Sequence, residues 1–415
     1  MRVLVPLPFD ISCQVHGRNL RVVNLLGQLD RRCDITLAAC DARVAAGAAA
    51  VLPGIRVLTA PDVPRCHHAR SATLRDPWWL RRAARFFGYD PAMHAWIDEL
   101  SVDADLVLGF DLVSALYLTQ LGRHAERSVP TVCDLIDDPW LTFRSGRWDE
   151  QFSIVGMKTA IAVRALRRWL LPQIDVLTAV APRDAEMLSR TTGRDVHVVP
   201  NGVTCPDDIE PGQRESLVVL TGAMNFPPNE QAARYLVRVI WPRVRRMVPT
   251  ARLALVGADP TARVRELADA FNVTVTGRVD DLGAWLRRAR AATAPMLSGT
   301  GLKNKILEAC GHACPVVATR LGAGGIPTGE DHGILVADHP KIFAGHLVHL
   351  LTDPAYAEQL GRAGASMVRD RFSWSGAARA MWSVLEGCRR EATQTTGAAS
   401  PALRRRCREV VYASA

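Results

Sequence analysis

The chain has 415 residues, of which 48% are hydrophobic and 22% are charged. This composition excludes disordered, collagen-like and fibrous proteins, and the length predicts two or three domains. No apolar run reaches the roughly 18–20 residues of a membrane-spanning helix. The apolar start of the chain is too short for the core of a signal peptide and is typical of a strand. We therefore expect a cytoplasmic protein.

The formal net charge is +9, and the 51 basic residues include four lysines, namely Lys158, Lys303, Lys305 and Lys341. A basic surface favours contact with phosphate groups or with an anionic membrane. The sequence has no helix-turn-helix, zinc-finger or RNP pattern, so we expect no nucleic-acid partner.

Ten cysteines are scattered along the chain without a Cys-x-x-Cys pair. Cys310, His312 and Cys314 lie within five residues, but no second cluster would complete a tetrahedral site. We therefore expect buried free thiols and no bound metal.

Short apolar strands alternate with helical patterns along the whole chain, the clearest helix being Arg18–Leu29. Val, Leu and Ile runs separated by helices indicate parallel, doubly wound sheets. The predicted strands are Arg2–Pro6, Asp34–Ala38, Ile55–Leu58, Asp105–Phe110, Thr131–Ile136, Val176–Val180 and Val196–Val199 in the first half, then Ser216–Thr221, Arg252–Val256, Val273–Thr276, Ala291–Pro295, Pro315–Ala318 and Ile334–Val336 in the second half.

A polar break after Val203 divides the alternation into two Rossmann-like halves, with ligands expected at the carboxyl ends of their strands. A last helix is clearest over Met381–Arg390 and is expected to return to the first half. The predicted parts are an N-terminal Rossmann-like domain at 1–203, a linker at 204–215, a C-terminal Rossmann-like domain at 216–375, a C-terminal helix at 376–390 and a mobile tail at 391–415.

One loop of the second half combines the features of a phosphate site. A strand ends at Pro295, a loop with Gly299 and Gly301 follows, and a helix begins near Lys303. Glycines before a helix N-terminus expose backbone N–H groups, which together with the helix dipole bind phosphate.

The same segment carries two of the four lysines and a glutamate. Lys303 and Lys305 add positive charge that opposes the helix dipole and needs an anion nearby, and Glu308 is spaced to accept hydrogen bonds from sugar hydroxyls. The alternative is a plain βαβ turn with solvated lysines. The coincidence of scarce lysines, glycines and the glutamate favours a binding site.

The sequence of residues 299–309, Gly-Thr-Gly-Leu-Lys-Asn-Lys-Ile-Leu-Glu-Ala, resembles the signature of retaining GT-B glycosyltransferases of family 4, a group that includes bacterial exopolysaccharide and natural-product sugar transferases. The resemblance covers about residues 1–390. The supporting motifs, in the order of the family, are Val199–Val203, Gly222–Asn229, Val256–Gly257, Val275–Val279 and Phe372–Trp374.

The resemblance implies a GT-B fold, in which two Rossmann-like doubly wound parallel-sheet domains face each other across a cleft. It implies a hexosyltransferase-like enzyme that transfers a sugar, with retention, from a nucleotide-diphosphate sugar to a saccharide, lipid-linked or natural-product acceptor. The N-terminal domain would bind the acceptor and the C-terminal domain the donor. Fixed N–H dipoles and lysines would stabilise the departing diphosphate, so we expect no cofactor and no metal.

The resemblance also implies roles for single residues. Glu308 would hold the donor ribose, while the family's other glutamate falls at a position occupied here by Thr300. The segment Gly222–Asn229 lacks the basic pair that the family often has there, and Lys303, Lys305 or Arg278 would supply that charge. The donor-binding candidates are Gly17, Asn225, Arg278, Gly299, Thr300, Gly301, Leu302 and Glu308, and the catalytic candidates are Lys303, Lys305, Asp137 and His16.

Three candidates of the first half have simpler alternatives. Gly17 lies where the family has a glycine pair and would let the backbone approach the donor, or it ends the strand. His16 would donate a hydrogen bond to sugar or phosphate, or it is an ordinary surface histidine. Asp137 would hold sugar hydroxyls or orient the acceptor, whereas Asp138 before Pro139 is typical of a helix cap.

Residues 70–96 mix aromatic residues with arginines, as segments at a membrane interface do. The alternative is that these aromatic side chains are buried in a domain core. The membrane hypothesis places the protein at the inner face of the membrane.

Two other functions use the same fold. The first is a GT-B epimerase or phosphorylase, and the second is a non-catalytic sugar-nucleotide-binding protein, which Thr300 keeps open. The donor sugar, the base and the acceptor are not specified by this sequence, because acceptor loops vary on a shared fold.

Overall fold

The computed structural model describes residues 1–13, 17–61, 78–119, 121, 129–136, 154–206, 214–270, 272–299 and 301–397. Within them the chain forms two sheets, one after the other in sequence, and every strand pairs in parallel with its neighbours. Parallel pairing requires a crossover between successive strands, and helices supply most of these crossovers.

The first sheet contains β1 (Arg2–Leu7), β2 (Asp34–Ala39), β3 (Arg56–Thr59), β4 (Leu106–Phe110), β5 (Thr131–Leu135), β6 (Val176–Ala179) and β7 (Val196–Val198). Its strand order is β3-β2-β1-β4-β5-β6-β7, which reverses direction between β1 and β4. Every residue of β4 and of β5 is buried, as expected of central strands that are covered by helices on both faces.

The second sheet contains β8 (Glu215–Thr221), β9 (Arg252–Val256), β10 (Val273–Gly277), β11 (Ala289–Ala294), β12 (Val316–Ala318) and β13 (Ile334–Val336). Its strand order is β10-β9-β8-β11-β12-β13, so the reversal lies between β8 and β11. Ligands of doubly wound folds bind outside the carboxyl ends of the strands at such a reversal.

The helices of the first half are α1 (Gly17–Leu29), α2 (Ala42–Val51), α3 (Trp78–Phe87), α4 (Pro91–Ser101), α5 (Asp111–Ala115), α6 (Ile154–Leu170) and α7 (Pro182–Thr192). Those of the second half are α8 (Pro227–Tyr235), α9 (Trp241–Met247), α10 (Ala262–Arg265), α11 (Leu282–Arg288), α12 (Asn304–Gly311), α13 (Pro340–Thr352), α14 (Pro354–Arg371) and α15 (Trp374–Gly397).

The predicted doubly wound parallel fold is confirmed, and each predicted strand lies within two residues of an observed one. The prediction of the last helix was too short. Helix α15 begins at Trp374 and ends at Gly397, so residues 391–397, assigned to the tail, are helical. The rest of the predicted tail lies outside the described residues. Helix α15 packs against α1 and β5 of the first half.

The two halves meet where two of the family-like motifs touch each other. The Val203 N–H donates to the Phe372 carbonyl at 2.8 Å, and Val203 also forms a parallel bridge with Ser373. Gly202 permits this approach, because a Cβ on it would lie 2.3 Å from the Trp374 backbone nitrogen. The start of α15 is thereby fixed to the segment that connects the two sheets.

Residues 70–96 divide between the two interpretations of the sequence. Phe87 and Trp96 pack against the core of the first half, whereas Trp78 and Phe86 are exposed. Residues 70–77 lie outside the described part of the chain. No helix of the described residues is both long enough and apolar enough to cross a membrane.

Candidate functional site

The loop between β11 and α12 lies at the strand-order reversal of the second sheet. Gly299 and Gly301 adopt φ values of +105° and +71°, which an L-residue with a side chain rarely adopts. Lys303 occupies the N-cap position of α12, and its side chain makes no capping hydrogen bond; its Nζ donates to the Gly301 carbonyl at 3.0 Å. A lysine side chain has no acceptor atom, so Lys303 does not cap the first-turn N–H groups of α12. An anion site needs such uncapped N–H groups.

Lys305 reaches from the first turn of α12 to the first turn of α8, the helix that follows β8. Its Nζ donates to Asn229 Oδ1 at 2.6 Å, and Asn229 Nδ2 donates to the Ala223 carbonyl at 2.8 Å. Asn229 is buried, and a Cβ on Gly222 would lie 3.1 Å from Lys305 Nζ. The lysine therefore joins the loops on both sides of the strand-order reversal.

The pKa of Lys305 is lowered from its usual 10.5 to about 7, mainly by burial and also by the charge of nearby Lys303, against the opposing effect of Glu308. Binding of an anion would strongly favour the charged form of this amine, because the anion restores the charge interaction that burial removed.

Glu308 lies three residues after Lys305, on the same side of α12. Burial raises the pKa of Glu308, and the Lys305 charge opposes the increase. The pair places one carboxylate and one amine near each other at the site. A carboxylate in this position can accept hydrogen bonds from two neighbouring hydroxyl groups.

The N-terminus of α1 faces the N-terminus of α12 across the space between the sheets. A Cβ on Gly17 would lie 3.5 Å from Asn304 Nδ2. Asn304 Oδ1 in turn accepts a hydrogen bond from Asn201 Nδ2 at 2.8 Å. Gly17 and the glycine loop, predicted separately from the sequence, are therefore brought close together.

Asn201 belongs to a buried network in the first half. Arg21 donates to Asn201 Oδ1 at 2.7 Å, to the Val199 carbonyl at 2.8 Å and, through two nitrogens, to Asp134 at 2.7 and 2.8 Å. Arg21 and Asp134 are both fully buried. The network connects the centre of the first sheet to the first residue of α12.

Asp111 lies directly after β4, at the strand-order reversal of the first sheet. Its φ is +66°, an uncommon conformation for an aspartate, and such strain is concentrated at functional sites. Burial raises the pKa of Asp111, while the Leu112 N–H and Arg18 lower it; Arg18 Nη1 lies 3.8 Å from Asp111 Oδ2. The Arg18 guanidinium also covers the Phe9 ring at 4.0 Å.

The other predicted residues have different positions. Leu302 is buried beside the glycine loop, whereas Asn225 and Arg278 are exposed in the loops after β8 and β10. The remaining candidates lie outside the described residues: His16, Asp137 and Thr300.

The Cys310–Cys314 segment forms part of the core. Both thiols are free and buried, and burial raises the pKa of Cys314 to about 11. His312 Nδ1 lies 2.9 Å from the Glu308 carbonyl. In the described part of the chain, no group of three or more His, Cys, Asp or Glu side chains could hold a metal ion.

Three residues of the site were missed by the sequence prediction: Asn229, Asn304 and Asp111. Asn229 and Asn304 lie in motifs that pointed to the site, but no feature of the sequence distinguishes Asn229 from Asn225 as the partner of Lys305. Asp111 had a usable signal, because it directly follows a fully apolar strand.

Comparison with known proteins bears on the second half. Residues 215–353 match the family model described as glycosyl transferases group 1. The matched segment contains β8, the glycine loop and α12. A curated relative, an uncharacterized 44.6 kDa protein in the cps region of Klebsiella pneumoniae, is 24% identical over 165 residues. That match covers 37% of this chain and 42% of the relative, so it spans less than half of either protein.

Solved structures resemble this fold over most of the chain. Sucrose-phosphate synthase from Thermosynechococcus elongatus has a TM-score of 0.69 and 16% identity, covering 93% of this chain and 98% of that one. Anabaena HepE in complex with UDP has a TM-score of 0.65 and 14% identity, covering 93% and 100%. WaaG, a glycosyltransferase involved in lipopolysaccharide biosynthesis, has a TM-score of 0.57 and 13% identity, covering 92% and 98%. The fold is therefore GT-B, which confirms the predicted fold class.

Proposed function

We propose that this protein is a glycosyltransferase of family 4 that transfers a sugar, with retention, from a nucleotide-diphosphate sugar to a saccharide, lipid-linked or natural-product acceptor. The observation that carries the proposal is the bond between Lys305 and Asn229 beside the glycine loop of α12. It brings a partly buried amine, two positive-φ glycines and a helix N-terminus together at one strand-order reversal. The match to the glycosyl transferases group 1 model supports the same reaction class.

The donor diphosphate would bind to the N–H groups of Gly301 and Leu302 and to the amine of Lys305, with Glu308 accepting hydrogen bonds from the ribose. Anabaena HepE has been solved with UDP and with UDP-glucose, which supports a nucleotide sugar as the donor class. Gly17, on the opposite side of the cleft, would let the backbone approach the transferred sugar.

The rate would depend on charge that develops on the leaving diphosphate. As the glycosidic bond breaks, negative charge grows on the phosphate oxygen, and a nearby ammonium and fixed N–H dipoles stabilise it. Lys305 would therefore interact more strongly with the transition state than with the bound donor, which is the condition for an effect on kcat. Lys303 would add charge from the N-cap position.

A screen of nucleotide sugars with the full-length protein tests the proposal. We expect one of them to raise the melting temperature, because a ligand that binds only the folded state stabilises it, and to release its nucleoside diphosphate slowly by hydrolysis. Release is expected to continue in EDTA, since basic side chains and N–H groups supply the charge. Binding without release, both in water and with added saccharide acceptors, would instead indicate a non-catalytic protein, and cleavage that requires inorganic phosphate would indicate a phosphorylase.

A further inference from the structure

Helix α3 exposes an unusual combination of residues on one face. Trp78 and Phe86 are 49% and 57% exposed. Residues 78, 81, 82, 85 and 86 lie on one face of the helix by their spacing, so Arg82 and Arg85 stand beside the two aromatic side chains. Phe87, on the opposite face, packs against the core. The exposed aromatics are therefore not an extension of the core.

Helix α6 packs against α3 and has a basic exposed face of its own. Its exposed side chains are Lys158, Ile161, Arg164 and Arg168, at spacings of three, three and four residues, which form a single stripe. Ile161 is 55% exposed. The residues between them, such as Val163 and Leu166, are buried, so the stripe is the outer face of a helix whose inner face is fixed in the core.

The charge on these two helices has one sign. Neither α3 nor α6 contains an aspartate or a glutamate, whereas together they contain seven arginines and lysines. Large apolar side chains interleaved with basic ones are the pattern of helices that lie in a membrane interface, with the apolar groups below the headgroups and the cations beside their phosphates. A double-stranded nucleic acid or another fully hydrated polyanion offers no apolar layer that could receive exposed Trp and Phe side chains.

We propose that the outer faces of α3 and α6 dock on an anionic phospholipid bilayer. Trp78 and Phe86 insert into the interface, and Arg85, Lys158 and Arg168 lie beside the headgroup phosphates. Long basic side chains can place their charge at the headgroups while their methylene groups cover apolar surface. This docking does not depend on the proposed transfer reaction.

The test measures co-sedimentation of the full-length protein with vesicles of phosphatidylcholine alone and of phosphatidylcholine mixed with phosphatidylglycerol. We expect binding to the mixed vesicles, weakened by high salt, and little binding to the neutral vesicles. Replacement of Arg85, Lys158 and Arg168 by glutamine should weaken binding roughly a hundredfold. Trp78→Ser with Phe86→Ser should weaken it about tenfold or more, because the inserted apolar area is lost.

Matched controls come from exposed residues of the second half. Arg238→Gln, Arg246→Gln and Arg265→Gln remove the same charge, and Met247→Ser with Ile342→Ser removes exposed apolar area; these variants should bind as the wild type does. Equal losses of vesicle binding in the test triple and in the control triple would overturn the proposal. It would also be overturned if the wild-type protein bound both vesicle types alike, or bound neither. Loss in the charge triple without any loss in the serine pair would indicate a general polyanion surface and would also overturn it. If a variant fails to fold, the wild-type comparison still overturns the proposal when the protein binds neither vesicle type or binds both alike.

Discussion

Arg21 and Asp134 form an ion pair that is completely buried, with Arg21 Nε 2.7 Å from Asp134 Oδ2 and Arg21 Nη2 2.8 Å from Oδ1. Thr178 Oγ1 donates to the same carboxylate, and Arg21 continues the network to Asn201. Removing one partner of such a pair leaves an uncompensated charge in the interior. Loss of either partner alone is therefore expected to destabilise the first half.

Arg21→Met is expected to lower the free energy of unfolding by about 3–5 kcal/mol, measured by urea denaturation. Arg43→Met is the matched control, because Arg43 also pairs with an aspartate, Asp10, but with 74% of its side chain exposed. An exposed pair contributes about 1 kcal/mol or less. If the two substitutions lowered the free energy of unfolding equally, burial of the Arg21–Asp134 pair would add nothing to the cost of losing the arginine.

Gly202→Ala tests the contact between the two family-like motifs. The added Cβ would lie 2.3 Å from the Trp374 nitrogen, so the backbone must shift, and we expect a loss of about 1–3 kcal/mol in the free energy of unfolding. In the control Gly387→Ala, within α15, the Cβ meets no atom within 4 Å. Replacing a helical glycine by alanine should stabilise the protein by about 0.5–1 kcal/mol. A neutral Gly202→Ala would mean that the start of α15 is free to move.

Much of the fold and part of the site could be predicted because their signals are local. Strand β4, for example, is buried along its whole length and so appears in the sequence as an apolar run. The glycine loop stood out because lysine is rare in this chain. The Arg21–Asp134 pair could not be predicted, since its partners are 113 residues apart and arginine is too common here for any one to be conspicuous. The length of α15 was missed because its polar last turns lack a strong apolar pattern.

Lys305 and Glu308 are expected to affect different kinetic constants. Lys305→Ala should mainly lower kcat for donor cleavage, because its interaction strengthens as the phosphate charge grows. Glu308→Gln should mainly raise the donor KM, by an amount equivalent to about 1.5–3 kcal/mol for a charge-assisted hydrogen bond. Lys341→Ala, at an exposed position of α13, is the control and should change neither constant. Unaltered kinetics in Lys305→Ala would return that lysine to a purely structural role.

The pKa of Lys305 gives the expected pH dependence. With a pKa of about 7 in the free protein, the amine loses its charge as the pH rises, so kcat/KM for the donor should fall above pH 7, by up to about tenfold per pH unit. Lys305→Arg should move this fall to higher pH, because arginine stays protonated. A profile that is flat above neutrality would contradict the assignment.

The same shift affects stability in a defined direction. The folded-state pKa of Lys305 lies below its usual 10.5, so the unfolded chain binds more protons between about pH 7 and 10.5. The contribution of Lys305 to the free energy of unfolding therefore rises with pH in that window, and it is least favourable below pH 7. Urea denaturation across this range should show the free energy of unfolding of the wild type rising, relative to that of Lys305→Met, as the pH rises.

Calorimetric titration of the full-length protein with UDP and with GDP measures binding at the proposed donor site, because a free diphosphate carries the charge that develops during transfer. We expect one of the two diphosphates to bind at a single site. Its affinity should be at least about tenfold lower in Lys305→Ala, as the loss of a charge-assisted bond predicts. Its affinity should be unchanged in Lys341→Ala. If neither diphosphate bound to the wild type, or if Lys305→Ala bound it as tightly as the wild type does, the glycine loop and Lys305 would not form a donor site.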